Sequence, residues 1–200
     1  MTVSIPRILV VGLGNLPYPL TRHSVGQQII DSLANRLGIT LSVDRTGFSG
    51  HDNVFVGETM VSLHLFKSSM LSTSAMLDRG SSTFAESLMN VSGPSIAAAC
   101  RNTVQSPRSM IVISDSLSHK VETMHARLGG SANGHNGLKS IISALGNDMN
   151  FHRFRIGIGR DDTDAAVYVM NKLPSHERHF WANEGLDLIL SEIEKVAVQG

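Results

Sequence analysis

Hydrophobic residues along this chain recur with two periods that take turns. Ile8 to Val11 is an unbroken apolar run that reads as a strand and feeds Gly12-Leu13-Gly14-Asn15. From Val25 to Leu37 the apolar residues Val25, Ile29, Ile30, Leu33 and Leu37 return at helical spacing, and Gly38 supplies a C-cap. Short β-prone runs follow at Asn53–Val56 and Met60–Phe66. A second helix is predicted over Pro94–Val104, with Ser92-Gly93 before it and Pro107 after it. Met110–Ser114 reads as a buried strand, and Val121–Leu128 alternates like a half-buried one. Asn136–Leu145 is an amphipathic helix closed by Gly146. Phe151–Ile158 alternates again, Phe154, Ile156 and Ile158 against Arg153, Arg155 and Gly157. Ala165–Met170 and Ser175–Val196 are helical. Strands alternating with helices predict one α/β domain over residues 1–200, with a mixed sheet and crossover connections. Ser68 to Ser87, rich in Ser, Met and Thr, fits neither period and reads as a loop insertion at 68–87.

Composition narrows the class. Two hundred residues at 42% hydrophobic suffice for one ordinary core. A formal net charge of +0 excludes a bulk polycation, so contact with nucleic acid needs a local basic patch. Cys100 is the sole cysteine, which rules out an internal disulfide and points to a reducing compartment; after Ala97-Ala98-Ala99 it reads as a buried helix face. Met1 to Pro6 is too short for a signal peptide before the first strand, and no apolar run reaches about 18 residues. The expectation is a soluble intracellular protein.

The candidate chemistry begins where a familiar motif fails. Gly12-Leu13-Gly14 after a strand starts like a dinucleotide fingerprint, but the third glycine position is Pro17 and Pro19 follows, so no helix runs on from Gly14. The strand end instead brings Asn15 and His23 together at a sheet's carboxyl edge. Four glycines fall within nine residues from Gly129 to Gly137, and the segment ends at a helix start. Its backbone N–H groups can face a ligand; the plainer reading is a turn in which Asn136 caps the helix. Asp115 follows the strand Met110–Ser114, and Asn90 precedes a helix. There is no Walker lysine spacing, no G-x-S-x-G elbow and no H-E-x-x-H; His176 and His179 read as an exposed helix face.

Several segments in order carry a resemblance: Gly12-Leu13-Gly14-Asn15, Tyr18, Thr21-Arg22-His23, Met89-Asn90-Val91-Ser92-Gly93, Asp115, Leu128-Gly129-Gly130, Gly134-His135-Asn136-Gly137-Leu138-Lys139-Ser140 and Phe151 through Arg160. The chain resembles the bacterial-type peptidyl-tRNA hydrolase family, including its eukaryotic organellar members. The match spans nearly the whole chain and keeps the family's spacing from Asp115 to Arg160. It implies a three-layer fold with a twisted mixed sheet flanked by helices. It also implies hydrolysis of the ester between a peptide and the 3′-terminal ribose of tRNA, which recycles tRNA from aborted translation. By the same resemblance, His23 is the general base and Asp115 orients it. Asn15 and Asn90 bind peptide and water, and Asn136 holds the attacking water or the oxyanion. Tyr18 and Met89 shape the site, and His135 supports the glycine-rich loop. Arg127 and Arg155 contact the tRNA 5′-phosphate, within a basic patch that includes Lys139, Arg153 and Arg160. The expected partner is peptidyl-tRNA, with no cofactor, no metal and no membrane, for a monomer in the cytoplasm or the mitochondrial matrix.

The residue types suit that chemistry. Imidazole titrates near neutrality, an Asp fixes its tautomer, and amide N–H groups offer neutral donors to an oxyanion. The chain also departs from the family. The loop between Asn15 and His23 is shorter than usual, Ser24 replaces a common asparagine, and Ser116-Leu117-Ser118 stands where Glu-Leu-Asp is usual. The Ser68–Ser87 segment has no counterpart. The alternative to an enzyme is a non-catalytic RNA-binding protein on the same fold.

Overall fold

Strands whose residues alternate between two buried faces, and helices with one apolar stripe each, dictate a layered arrangement. A computed structural model describes residues 5–15, 17–43, 47–68 and 92–199 of the chain. In chain order the strands are β1 (Arg7–Gly12), β2 (Ser42–Val43), β3 (Gly47–Val56), β4 (Thr59–Ser68), β5 (Met110–Ser116), β6 (Met124–Leu128) and β7 (His152–Gly157). The helices are α1 (Val25–Leu37), α2 (Ser92–Thr103), α3 (Asn136–Ala144), α4 (Ala165–Met170), α5 (Ser175–Ala182) and α6 (Glu184–Gln199). Apart from Ser68, which ends β4, the expected 68–87 loop lies outside the described residues, as do Met89 and Asn90.

The strands form one mixed sheet in the order β2-β3-β4-β1-β5-β7-β6. β1 pairs in parallel with β4 and β5, and β5 with β7, whereas β2, β3 and β6 join antiparallel. Along β1 and β5, Ile8, Val10, Ile111 and Ile113 join a core beneath α1, α5 and α6; Leu9, Val11, Met110 and Val112 join the opposite core beneath α2 and α3. Burial on both faces explains the unbroken apolar runs of these strands. Cys100 lies in the second core, where burial pushes its thiol up to about 11, so it packs as a small hydrophobe.

Several expectations change. β3 begins at Gly47 rather than Asn53 and pairs along all of β4; its polar Ser49, His51 and Asp52 hide it from any apolar pattern. The expected half-buried strand over Val121–Leu128 shortens to β6, which is the sheet's last strand and carries four exposed residues of five. The single helix expected over Ser175–Val196 is two, because Asn183, at φ −130° and ψ −97°, leaves the helical region. β2, two exposed residues, gave no signal.

Gly12 and Gly26 let backbone segments pack in direct contact. A Cβ on Gly12 would lie 2.3 Å from the Gly26 carbonyl oxygen, and one on Gly26 would lie 2.4 Å from that of Ile113. Helix α1 thus rests directly on β1 and β5. Gly26→Ala is expected to destabilise the fold by about 1–3 kcal/mol, read as a fall in the urea midpoint at unchanged slope, because backbone on both sides must shift.

Candidate active site

Open sheets of this kind place ligands past the carboxyl ends of their strands, where connections leave in opposite directions. β1 is such a strand, with β4 on one side and β5 on the other. Past its end, Asn15 donates its backbone N–H to Ser24 Oγ at 2.9 Å, and Ser24 Oγ donates to the Tyr18 carbonyl at 2.8 Å. Ser24 therefore folds the Asn15–His23 loop onto itself. His23 sits in a 3₁₀ turn, Arg22–Ser24, immediately before α1.

A second tie fixes this turn from outside. The Arg22 backbone N–H donates to Asn171 O at 2.9 Å, and Leu173 N–H to Leu20 O at 2.8 Å. The Arg22 guanidinium donates to Ile158 O at 2.9 Å and to both Glu177 oxygens at 3.0 and 3.1 Å, and lies 4.9 Å from the Tyr168 ring centre. Sequence reasoning missed Glu177, which it left among the polar residues of an exposed helix face. His176 and His179 are indeed exposed, but Glu177 is buried. Nothing in the local pattern distinguishes it, because its partner is 155 residues away.

The sheet brings the two expected catalytic residues together. Asp115, near the end of β5, is buried, and its Oδ1 lies 2.8 Å from His23 Nδ1 and 3.1 Å from His135 Nε2. His23 comes from the α1 side of the sheet and His135 from the α3 side, so one carboxylate oxygen joins both layers. Burial opposes the Asp115 charge, yet His23 and then His135 hold its carboxyl far below the usual range. For His23, burial acts to lower the pKa, and the Asp115 carboxylate outweighs it, leaving the imidazole raised above 6.5.

His135 is the N-cap of α3, accepting from Leu138 N–H at Nδ1. That contact leaves the proton on Nε2, which donates to Asp115. The plainer reading of Asn136, as the cap of this helix, is therefore set aside, because the cap is His135. Asn136 is the first residue of α3; its side chain lines the cleft, with Lys139 Nζ 3.4 Å from its Oδ1. The preceding loop holds positive φ at Gly129, Gly130 and Gly134, where 96° at Gly130 would strain any side chain.

His23, Asp115, His135 and Asn136 line a cleft of about 740 Å³ whose other walls include Ser116, Arg155, Val167 and Met170. Asn15 lies behind it, buried, with its Nδ2 4.0 Å from Met170 Sδ and its Oδ1 unpartnered. Tyr18 is exposed and does not reach the cleft lining.

The basic patch divides. In the β6–β7 ladder Arg127 pairs with Arg153, and His125 with Arg155, so all four share one face. Arg127 is exposed and Arg155 half-buried at the cleft wall. Arg153, expected to point outward, is buried: its guanidinium donates to the Gly130 and Ser131 carbonyls, and burial with Arg127 and Arg155 nearby lowers its pKa. The alternation in β7 assigns Arg153 to its face correctly, but the glycine-rich loop folds over that face and buries it. Lys139 and Arg160 are exposed, and Arg160 does not line the cleft. Among the described residues, no carboxylate pairs with Arg127, Arg153 or Arg155.

The three side chains His23, Asp115 and His135 are also the one group among the described residues with metal-ligand potential, their donor atoms lying within 4.8 Å of one another. Metal bonds of about 2.0–2.2 Å would replace both hydrogen bonds to Asp115. As they stand, the contacts make a base–orienter pair with a second donor on the same carboxylate.

An imidazole held by a buried carboxylate at the mouth of a cleft, on the carboxyl edge of a mixed sheet, is the layout of a base-catalysed hydrolase. The peptidyl-tRNA hydrolase family model matches residues 9–200. A peptidyl-tRNA hydrolase of Saccharophagus degradans is 34% identical over 173 residues, which is 84% of this chain and 78% of that protein. One from Clostridium botulinum is 29% identical over 193 residues, 96% of this chain and 90% of that one. The crystal structure of peptidyl-tRNA hydrolase from Acinetobacter baumannii superposes with a TM-score of 0.76 at 28% identity, covering 98% of this chain and 92% of that one. The chain belongs to the peptidyl-tRNA hydrolase family. Among the described residues, no helix is long and apolar enough to cross a membrane.

Proposed function

We propose that this protein hydrolyses the ester linking a peptide to the 3′-terminal ribose of tRNA, with His23 as the general base and water as the nucleophile. The observation that carries the reading is the 2.8 Å contact between His23 Nδ1 and Asp115 Oδ1 at the cleft wall. With Nδ1–H given to the carboxylate, Nε2 holds the lone pair that takes the proton from water. Hydroxide adds to the ester carbonyl, and Asp115 stabilises the imidazolium. The Asn136 amide, free of capping, donates to the oxyanion or holds the water. Collapse expels the ribose oxygen, which regains a proton from His23. The unpartnered Asn15 Oδ1 is an acceptor for a substrate N–H close to the cleft. His135 keeps Asp115 oriented while anchoring the loop that carries Asn136. An assay releasing the N-acetylated amino acid from N-acetyl-aminoacyl-tRNA tests the reading. Tight tRNA binding without release would establish the non-catalytic alternative.

Arg127 and Arg155, which pair with no carboxylate among the described residues, serve in this reading as contacts for the tRNA 5′-phosphate. Their joint replacement by Ala is expected to raise KM with little change in kcat, because phosphate contacts position a substrate without strengthening in the transition state. The defect should shrink as salt rises. Steady-state kinetics on tRNA with and without a 5′-phosphate check it: equal effects on both would remove this role.

A further inference from the structure

Beside the cleft, at positions that the proposed reaction leaves unused, a histidine of the loop after β5 packs against one of β6. The rings of His119 and His125 have centres 4.0 Å apart and are tilted by 32°. His119 Nδ1 lies 2.7 Å from the hydroxyl oxygen of Ser116, a cleft-lining residue at the end of β5. His125 stands opposite Arg155 in the β6–β7 ladder, two residues from Arg127. Ser116, His119, His125 and the two arginines thus lie in succession between the ester-hydrolysing cleft and the exposed arginine face.

This series is held in place by backbone contacts. The N–H groups of Gly157, Ile158 and Gly159 donate to the carbonyls of Thr123, Ser116 and His119 at 2.8, 3.2 and 3.0 Å. A Cβ on Gly157 would lie 1.8 Å from the Lys120 carbonyl oxygen, so the loop seats directly on β7. No carboxylate reaches either ring within ion-pair distance among the described residues. The loop itself carries Lys120 and Glu122, β6 carries Arg127, and β7 carries Arg153 and Arg155. Two imidazoles this close repel when both are charged, and Arg155 adds to the repulsion.

We propose that the His119–His125 pair is a binding site for an RNA phosphodiester, occupied by the acceptor strand of the tRNA on its way from the cleft to the arginine face. The proposal rests on the hydrolase reading, which puts the 3′ end of the strand in the cleft. A phosphodiester against the two rings supplies the negative charge that no described carboxylate brings within ion-pair distance, and lets an imidazolium persist beside Arg155. Burial, His125 and Arg155 all lower the His119 pKa in the free protein, so strand binding is coupled to proton uptake and tightens in acid.

The test compares wild type with the His119→Gln/His125→Gln double variant at pH 6 and pH 8. Two substrates are used: N-acetyl-aminoacyl-tRNA, and the same amino acid esterified to adenosine alone. The double variant is expected to raise KM for the tRNA ester about tenfold at pH 6 and less than twofold at pH 8, consistent with the loss of a charge-assisted contact. Its kcat on the tRNA ester, and its kinetics on the adenosine ester, should stay within about twofold of wild type. An unchanged KM at pH 6, an equal loss at both pH values, or an equal loss on the adenosine ester would each overturn the proposal. If wild type releases nothing from either ester, the hydrolase reading fails, and tRNA binding measured by fluorescence anisotropy at the two pH values still decides the histidine site by the same comparison.

Discussion

His23→Ala is expected to lower kcat by roughly 10²–10⁴-fold while leaving the affinity for tRNA nearly intact, because general base catalysis supplies about that much and the side chain holds no phosphate. The base works in its neutral form, and Asp115 raises its pKa above 6.5. Turnover should therefore fall as pH drops through that raised value, with an inflection above 6.5. Asp115→Asn removes the charge that raises the ring's pKa and leaves the burial that lowers it. This variant should be slower throughout, yet its acid limb should move to lower pH. A pH–kcat profile of the two variants beside wild type decides the matter. Wild-type turnover in His23→Ala, or an unmoved acid limb in Asp115→Asn, would show that this pair does not carry the proton.

The second large effect is on stability. The Arg22–Glu177 pair joins the turn before α1 to helix α5, with side chains only 12% and 2% exposed. Removing one partner strands the other's charge in a poorly hydrated setting, so Glu177→Ala is expected to cost about 3–5 kcal/mol. For a chain of this size that corresponds to a fall in Tm of roughly 6–20 °C. The turn carries His23, so kcat should fall as well, measured well below the new Tm. Joint replacement of Arg22 and Glu177 by Met should recover much of the stability, since neither charge is then stranded. A thermal melt of the single and double variants tests this. If Glu177→Ala melts with wild type, the pair is a surface ion pair in effect.

The residues of the candidate site stand out in the sequence more than the supports around them do. Asn15, His23, Asp115 and Asn136 each stand next to a signal that survives in one dimension: a strand end, a Pro-bounded loop, a glycine-rich turn before a helix. What no window could show is that His23 and His135, 112 positions apart in the chain, meet one oxygen of Asp115 from opposite faces of the sheet. Nor could a window assign the cap of α3, since His135 and Asn136 are adjacent and either residue type can accept from the helix N-terminus.

Arg153 marks the limit on the other side. Alternation along β7 assigns it to the outward face, and that assignment is correct for the strand; the glycine-rich loop, more than 20 residues upstream, then covers the same face and buries the guanidinium against its own carbonyls. β6 failed for the converse reason: its pattern asks for a half-buried strand, but it lies at the sheet's edge with four of its five residues exposed. Periodicity is a property of a segment, and it determined the order and type of most elements and the burial of β5. Burial depends on what other segments lay over a face. The partners of Glu177, the covering of Arg153 and the bridging of Asp115 were therefore decided only when the sheet closed and its loops packed.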